Sequence, residues 1–195
     1  MAGKAFANLI KWSDKMRSRF GAYKLQKELG YIKRDHRFIN FSDATNIGVL
    51  FDATDETSIN EIEAFIKSLT QRNKTVSVLG YWSKKKSTEN PLAKKGINYF
   101  TRKDVSLLFI PDSSNVMEFI HTSFDILINI NTEHCFPLQY VSAMSKATLR
   151  VGRYVPSSVP FYDLMININT TGKVKAYLEQ VNHYLNIINK KETNK

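Results

Sequence analysis

Short apolar runs alternate with stretches of helical periodicity from Asn46 onward. The apolar runs are typical of buried strands, and the stretches between them are long enough to hold crossover helices. Such an alternation indicates helices on both faces of a parallel sheet. The sequence therefore predicts an α/β fold with a three-layer, Rossmann-like, mostly parallel sheet of about five or six strands. The predicted strands are "NIGVLF", "TVSVLGYW", "INYF", "DILINI", "LRVGRYV" and "DLMINI".

Helical spacing of apolar residues predicts the elements between these strands. The first core helix is expected to begin at Ser58, because Ser58 and Glu61 have the spacing of a capping box. A short helix follows the serines at 113 and 114, another runs from about Pro137 to Lys146, and the last contains the apolar stripe from Val174 to Ile188.

The first 40 residues are unusually basic, with ten Lys and Arg against three Asp and Glu, in a chain whose formal net charge is +10. Their apolar residues, which include Phe20 and Leu25, recur at mostly helical spacing. This pattern predicts a long N-terminal helix with a bend at Gly21 and an end near Gly30. We therefore divide the chain into a basic helical extension, residues 1–40, and a single α/β domain, residues 41–195.

The excess of positive charge favours polyanionic partners such as RNA, a ribosomal particle or an acidic lipid surface. A second basic patch, "SKKKSTENPLAKKG", follows the second strand. Tyr81 and Trp82 directly precede it, and two interpretations are open: the rings stack on bases, or they pack beneath the loop, which we favour. The predicted phosphate contacts are Lys11, Lys15, Arg17, Arg19, Lys24, Lys84, Lys85 and Lys86.

Sequence signatures of catalysis are missing from the chain. None of the eight glycines forms Gly-x-Gly, and neither a phosphate-binding loop nor a Gly-x-Ser-x-Gly elbow is present. The four histidines are scattered and the only cysteine is Cys135, so the sequence predicts no metal site and no cofactor. These observations favour a non-catalytic protein, although they leave an enzyme possible.

Polar residues nevertheless follow two of the predicted strands. Asp52 ends the first strand, whereas Asn131, Glu133 and His134 follow the fourth. Ligands of open α/β sheets bind beyond the carboxyl ends of the strands, where the strand order reverses. If the order reverses between these two strands, the four residues face each other across a crevice for a nucleotide or a sugar. The alternative is a simple crossover turn, which needs no ligand.

A lone cysteine and the lack of any stretch of about 20 apolar residues lead us to expect a cytoplasmic protein with no transmembrane segment. Contact with an acidic membrane would be peripheral. The sequence does not predict an oligomeric state.

Several segments together carry a resemblance: "LQKEL", "NIGVLFD", "VSVLGYWSKKKSTENP", "YFTRKD", "FDILINI" and "SAMSKATLRVG". They resemble a domain of unknown function found in small basic α/β proteins of the Bacteroidota, which implies the fold but no catalytic residues. The segment from Asp125 to Gly152 is also similar to the N-terminal Rossmann-like half of heptosyltransferase-type glycosyltransferases. Those enzymes bind their nucleotide-sugar largely with a second domain, for which these 195 residues have no room.

The leading hypothesis is thus a bacterial, non-catalytic α/β protein that docks on RNA or a ribosomal particle through its basic helix and basic loop. The alternative is a nucleotide- or sugar-binding protein, or a glycosyltransferase-like enzyme, that uses the strand-end crevice.

Overall fold

The computed structural model describes residues 2–84, 96–168 and 174–189 and, for side chains, the same ranges without residues 2–13, 15, 56 and 157. Within these ranges the chain forms six strands and five α-helices, which confirms every predicted element. The strands are β1 (Asn46–Asp52), β2 (Thr75–Trp82), β3 (Ile97–Thr101), β4 (Ile126–Asn129), β5 (Leu149–Arg153) and β6 (Leu164–Ile166). The helices are α1 (Ala2–Leu29), α2 (Ile59–Gln71), α3 (Ser114–His121), α4 (Phe136–Met144) and α5 (Val174–Ile187).

All strand pairs are parallel, and the strands follow the order β3-β2-β1-β4-β5-β6. Val49 of β1 lies opposite Val78 of β2 on one side and Ile128 of β4 on the other. β1 lies at the centre of the sheet, and β2 and β3 extend the sheet from β1 to one edge. β4 then pairs with the other side of β1, and β5 and β6 extend the sheet to the opposite edge. The order therefore reverses between β1 and β4, and the connections that follow these two strands diverge at the carboxyl edge.

Helices cover both faces of the sheet, which gives the predicted three layers. Val49 and Ile128 point toward α2 and α5, whereas their neighbours Leu50 and Leu127 point toward α1, α3 and α4. Because successive side chains on a strand alternate between faces, a strand buried on both must be apolar throughout. This requirement explains the uninterrupted runs of the sequence.

The C-terminal half of α1 packs closely on the body of the protein. Leu25 is fully buried, and a Cβ added to Gly21 would lie 2.3 Å from the Leu108 carbonyl oxygen and 2.7 Å from the Phe136 ring. The helix runs through Gly21 without interruption, and the bend predicted there stays a prediction. Gly21 serves close packing, and Phe20 lies on the opposite, exposed side.

The capping box predicted at the start of α2 is wrong. Ser58 precedes the helix in a helical backbone conformation (φ −98°, ψ −2°), and its side chain caps no backbone N–H. An N-terminal cap needs an extended backbone at this position, but the 3₁₀ turn Glu56–Ser58 leads into α2 instead. The Ser58 hydroxyl donates a 2.7 Å hydrogen bond to the Asp55 carboxylate.

The segment between α1 and β1 is tied to the amino edge of the sheet. The Arg34 guanidinium donates to the carbonyl oxygens of Ala147 and Thr148 at 3.1 and 3.2 Å. It also pairs with the buried Asp163 carboxylate, which accepts a 2.7 Å hydrogen bond from the Arg150 backbone N–H. The basic extension is thus joined to the α/β body by buried polar contacts as well as by Leu25.

Candidate functional site

One face of α1 presents aromatic and basic side chains to solvent. Phe20 and Tyr23 are each 59% exposed, and Tyr31, just beyond the helix, is 87% exposed. Residues three, four or seven positions apart share a helix face, and this spacing aligns the rings with three cations. We call this surface the α1 stripe, which consists of Arg19, Phe20, Tyr23, Lys24, Lys27 and Tyr31.

The cations of the α1 stripe remain available to a partner. Lys24 contacts Glu28 at 3.7 Å, but such exposed pairs contribute little and break easily. The Lys27 ammonium lies 4.7 Å from the centroid of the Tyr23 ring, so charge and ring are presented together. Arg19 is exposed and has no acidic partner among the described side chains.

The predicted phosphate contacts have different surroundings. Arg19 and Lys24 lie on the α1 stripe, whereas Arg17 is held by Asp14 at 3.2 Å and donates to the Leu107 carbonyl oxygen. Arg17 is therefore unlike the solvated cation that the sequence predicts. Lys84 is exposed and lies 5.1 Å from the Trp82 ring. Four predicted residues lie outside what the structure describes: the side chains of Lys11 and Lys15, and the whole of Lys85 and Lys86.

The rings before the basic loop are buried, as the favoured interpretation predicts. Tyr81 belongs to the core beneath α1, α3 and α4, whereas Trp82 belongs to the core beneath α2 and α5. Neither ring is accessible to a base. Two exposed rings that accompany cations, Phe20 and Tyr23, lie on α1 instead, where the sequence pattern alone does not reveal them.

A cleft of about 470 Å³ opens at the carboxyl edge of the sheet, between the ends of β1 and β4. Asp52 and His134 both line it, so the reversal of strand order brings together residues that are 82 positions apart. Its volume falls in the range of small-molecule sites. The other lining residues are Asp14, Ser18, Tyr81, Ser83, Arg102, Phe109, Cys135, Phe136 and Pro137.

Phe109 forms a fixed wall of this cleft. Its φ of 59° is in the left-handed region, which is strained for a bulky residue. The guanidinium groups of Arg17 and Arg102 lie 4.7 and 5.3 Å from the ring centroid. Asp14 of α1 binds both arginines, Arg102 at 3.0 Å. The inner side of α1 therefore closes the cleft with an ion-paired cluster.

A smaller space of about 50 Å³, which we call the inner cavity, lies between the β4–α4 loop and the loop after β5. Of the four residues predicted to line a crevice, Asn131 and Glu133 line only the inner cavity, Asp52 lines only the cleft, and His134 lines both. Sequence reasoning missed Gln139, although a lone polar residue in the buried run "FPLQYV" is a usable signal. It also missed Arg153 at the end of β5, although ligands of open α/β sheets bind beyond the carboxyl ends of the strands.

Buried hydrogen bonds fix the loop beside the inner cavity. The Asn129 amide donates to the Tyr162 hydroxyl at 2.8 Å and accepts from the Asn131 backbone N–H at 3.1 Å. The Tyr177 hydroxyl donates to the Asn129 carbonyl oxygen at 3.3 Å, and the Arg153 guanidinium donates to the Thr132 carbonyl oxygen. These hydrogen bonds hold the loop in place.

The protonation states of the site favour binding over nucleophilic chemistry. Burial raises the pKa of Cys135, and the nearby Asp52 carboxylate raises it further, so the thiol is protonated at pH 7. Partial burial lowers the pKa of His134, so its imidazole is neutral. Across residues 2–84, 96–168 and 174–189, no three His, Cys, Asp or Glu side chains converge as metal ligands would.

Comparison with known proteins identifies the family of this chain. The profile of a family of unknown function (DUF6913) matches residues 17–188, from the middle of α1 to the end of α5. The chain belongs to this family. No curated protein and no solved structure matches it significantly. The predicted membership of a domain of unknown function is thus confirmed, whereas the link to the Bacteroidota and the resemblance to heptosyltransferases stay predictions.

The family's description names no activity. In the part of the chain that the structure describes, no helix combines the length and the apolar character needed to cross a bilayer.

Proposed function

We propose that this protein docks without catalysis on RNA, free or within a ribosomal particle, through the α1 stripe. The observation that carries the proposal is the alignment of two exposed aromatic rings with three cations on one face of an anchored helix, with a third exposed ring, Tyr31, just beyond its end. Large aromatic side chains are usually buried, and an exposed cluster of them marks an interaction surface.

RNA matches both components of the stripe. Arg19, Lys24 and Lys27 would contact phosphates, and exposed rings such as Phe20 and Tyr23 would stack on bases. Stacking needs unpaired bases, so single-stranded segments and loops are the preferred targets. Because Gly21 and Leu25 anchor the opposite face of α1, the stripe is ordered before binding. The proposal places the protein in the cytoplasm of a bacterial cell, where ribosomal particles are found.

An acidic membrane fits the same surface less well. Amphipathic helices that lie on membranes insert a broad apolar face below the headgroups. The apolar face of α1 is turned inward through Leu25, and Phe20 is the purely apolar member of the stripe. Binding to anionic vesicles with stripe-dependent affinity above that for RNA would contradict the proposal.

The test is the salt dependence of binding to a fluorescent single-stranded RNA. The variant Arg19→Gln/Lys24→Gln/Lys27→Gln removes three phosphate contacts. We expect the slope of log K against log salt to become shallower by about 2, because each contact to single-stranded RNA contributes about 0.7. The control Lys67→Gln/Lys146→Gln/Lys175→Gln removes the same charge from exposed positions on other elements. Equal slopes for the two triple variants would reject the proposal.

Point variants are preferable to deletion of residues 1–40. Deletion would also remove Leu25 and the Arg34 contacts, which are parts of the folded body. Loss of RNA binding on deletion would therefore not distinguish docking from unfolding.

The cleft supports a second candidate, a small-molecule role with a nucleotide or a sugar as ligand, in a binding protein or a glycosyltransferase-like enzyme. The specific observation is that Asp52 and His134 line one cleft at the reversal of strand order. A ligand that binds the folded protein raises its melting temperature. The test is a thermal-shift screen of nucleotides and nucleotide-sugars, with Asp52→Asn to abolish any shift and the exposed Asp43→Asn as control. No shift in the screen would reject this candidate.

A further inference from the structure

The inner cavity adjoins the N-terminus of α4. This helix begins at Phe136 after Cys135, and Pro137 in its first turn has no N–H, so few backbone N–H groups are free there. The helix dipole favours a negative charge at this end. The same end faces the carboxyl edge of the sheet, where the ligands of such folds bind.

An unsatisfied polar side chain lies in the same place. Gln139, in the first turns of α4, is only 7% exposed and lines the inner cavity. Its side-chain amide makes no hydrogen bond to any residue that the structure describes, although its backbone N–H bonds to the Cys135 carbonyl oxygen at 3.0 Å. The amide faces the inner cavity instead of a protein group, and native proteins almost always satisfy such polar groups. A bound ligand would provide the missing partner.

Arg153 supplies a positive charge to the cavity from the end of β5. Its side chain is partly buried and is oriented by the Thr132 carbonyl oxygen. No carboxylate pairs with it among the described residues, and its buried Nε lacks a hydrogen-bond partner there. Glu133, the acidic residue of the lining, is exposed at the rim, and His134 is neutral at pH 7 because partial burial lowers its pKa.

We infer that the inner cavity binds the phosphate group of a small phosphorylated ligand. Its donors would be the Gln139 amide and the Arg153 guanidinium, with the positive end of the α4 dipole beside them. The volume of about 50 Å³ has room for roughly four water-sized oxygens, which suits one tetrahedral oxyanion and excludes a whole nucleotide. His134 and Cys135 line both spaces, so the rest of the ligand lies in the cleft. This inference rests on the small-molecule role of the cleft and is independent of RNA docking.

Isothermal titration calorimetry with inorganic phosphate, a nucleoside monophosphate and the matching nucleoside tests this inference. We expect the monophosphate to bind more tightly than the nucleoside, and phosphate to compete with it. Gln139→Glu places a negative charge beside the ligand and should weaken monophosphate binding by at least about tenfold, the usual effect of a lost charge-assisted hydrogen bond. Gln180→Glu, an exposed change of equal charge on α5, should leave binding unchanged.

Gln139→Met preserves the volume of the side chain and guards against a folding defect. We expect it to retain the cooperative unfolding of the parent protein and to weaken the monophosphate several-fold without affecting the nucleoside. Equal affinity for nucleoside and monophosphate, insensitive to both Gln139 variants, would overturn the phosphate site while the role of the cleft stands. No binding of any of the three probes would overturn both the phosphate site and the nucleotide-binding role of the cleft.

Discussion

Replacing Gly21 with Ala tests how α1 is attached to the protein. In an exposed helix this change stabilises by about 1 kcal/mol, because glycine is the poorer helix former. Here the new Cβ would lie 2.3 Å from the Leu108 carbonyl oxygen, a backbone atom that cannot rotate away, and 2.7 Å from the Phe136 ring. Steric cost and helix propensity therefore change the free energy of unfolding in opposite directions. The short contacts at Gly21 decide which of the two effects is larger.

The expected net effect follows from the ways in which the clash can relax. Forcing an additional carbon into a packed site costs about 1–3 kcal/mol, and a backbone contact this short belongs at the upper end. Lifting α1 away instead would expose Leu25, whose burial contributes about 1.5–3 kcal/mol. It would also stretch the 3.1 Å hydrogen bond from the Tyr140 hydroxyl to the Glu28 carboxylate. After the gain in helix propensity, we expect Gly21→Ala to destabilise by about 1–2 kcal/mol.

Gly30→Ala is the matched control at the end of the same helix. Its added Cβ would meet only the Lys27 carbonyl oxygen at 3.7 Å, an ordinary contact. We expect a gain of about 0.4–1 kcal/mol, since alanine lowers the entropy of the unfolded chain. Urea unfolding followed by the fluorescence of the tryptophans, which include the buried Trp82, measures both variants. A Gly21→Ala protein as stable as its parent would refute the close packing of α1.

Three further predictions concern the stripe and two buried or bonded carboxylates. Phe20→Ala/Tyr23→Ala should weaken single-stranded RNA binding by about 1–3 kcal/mol for each base that loses its stacking partner. The slope of log K against log salt should not change, because no charge is removed, and a changed slope would contradict stacking. Asp163→Asn should destabilise the protein by about 3–5 kcal/mol in urea unfolding, because Asp163 is 8% exposed and its loss leaves the buried Arg34 and Arg150 without their counter-charge. The control Asp35→Asn changes an exposed carboxylate and should leave the stability nearly unchanged. Burial raises the pKa of Asp125, but hydrogen bonds from Asn46 N–H at 2.9 Å and from Thr45 lower it by more, so the folded pKa lies below the ordinary value. The stability that Asp125 contributes is therefore present above the unfolded pKa of about 3.9 and is lost as the pH falls through the folded pKa. The stability difference between the parent protein and Asp125→Asn in unfolding curves should accordingly shrink as the pH falls from 6 through the folded pKa; a difference that does not change with pH would be inconsistent with the shift.

The sheet could be predicted from the sequence because its strands are buried on both faces. Continuous apolar runs such as Ile47 to Phe51 leave few alternatives, and the helices between them show clear periodicity. The hydrogen bonds at the helix ends were harder to predict from the sequence. The spacing of Ser58 and Glu61 fits a capping box, but the backbone at Ser58 is helical and directs the hydroxyl to Asp55.

The mode of α1 packing was not predictable from apolar spacing. Phe20 and Leu25 are five positions apart, which places them about 140° apart around the helix and so on different faces. The contact is centred on Gly21, which has no side chain for a periodicity count to register. Helical spacing assigns Phe20 to the packing residues, although its side chain is exposed.

Only the residues of the candidate sites that lie at the ends of strands were predictable from the sequence. The rule for open α/β sheets placed Asp52 and His134 at one edge, and the strand order made them neighbours. The ion pair of Arg102 with Asp14 joins residues that are far apart in the chain, so no local pattern reveals it. That cluster also removes Arg17 from the solvated cations, which a count of charges cannot show.

One helix thus serves two surfaces. Its outer face carries the α1 stripe, and its inner face contributes Asp14 and Ser18 to the cleft. Substitutions on the outer face, such as Lys24→Gln, should affect RNA binding alone, because their side chains do not reach the cleft. Gly21→Ala shifts the whole helix and should impair both surfaces together. A Gly21→Ala protein that lost RNA affinity but bound a cleft ligand normally would show that α1 does not close the cleft in solution.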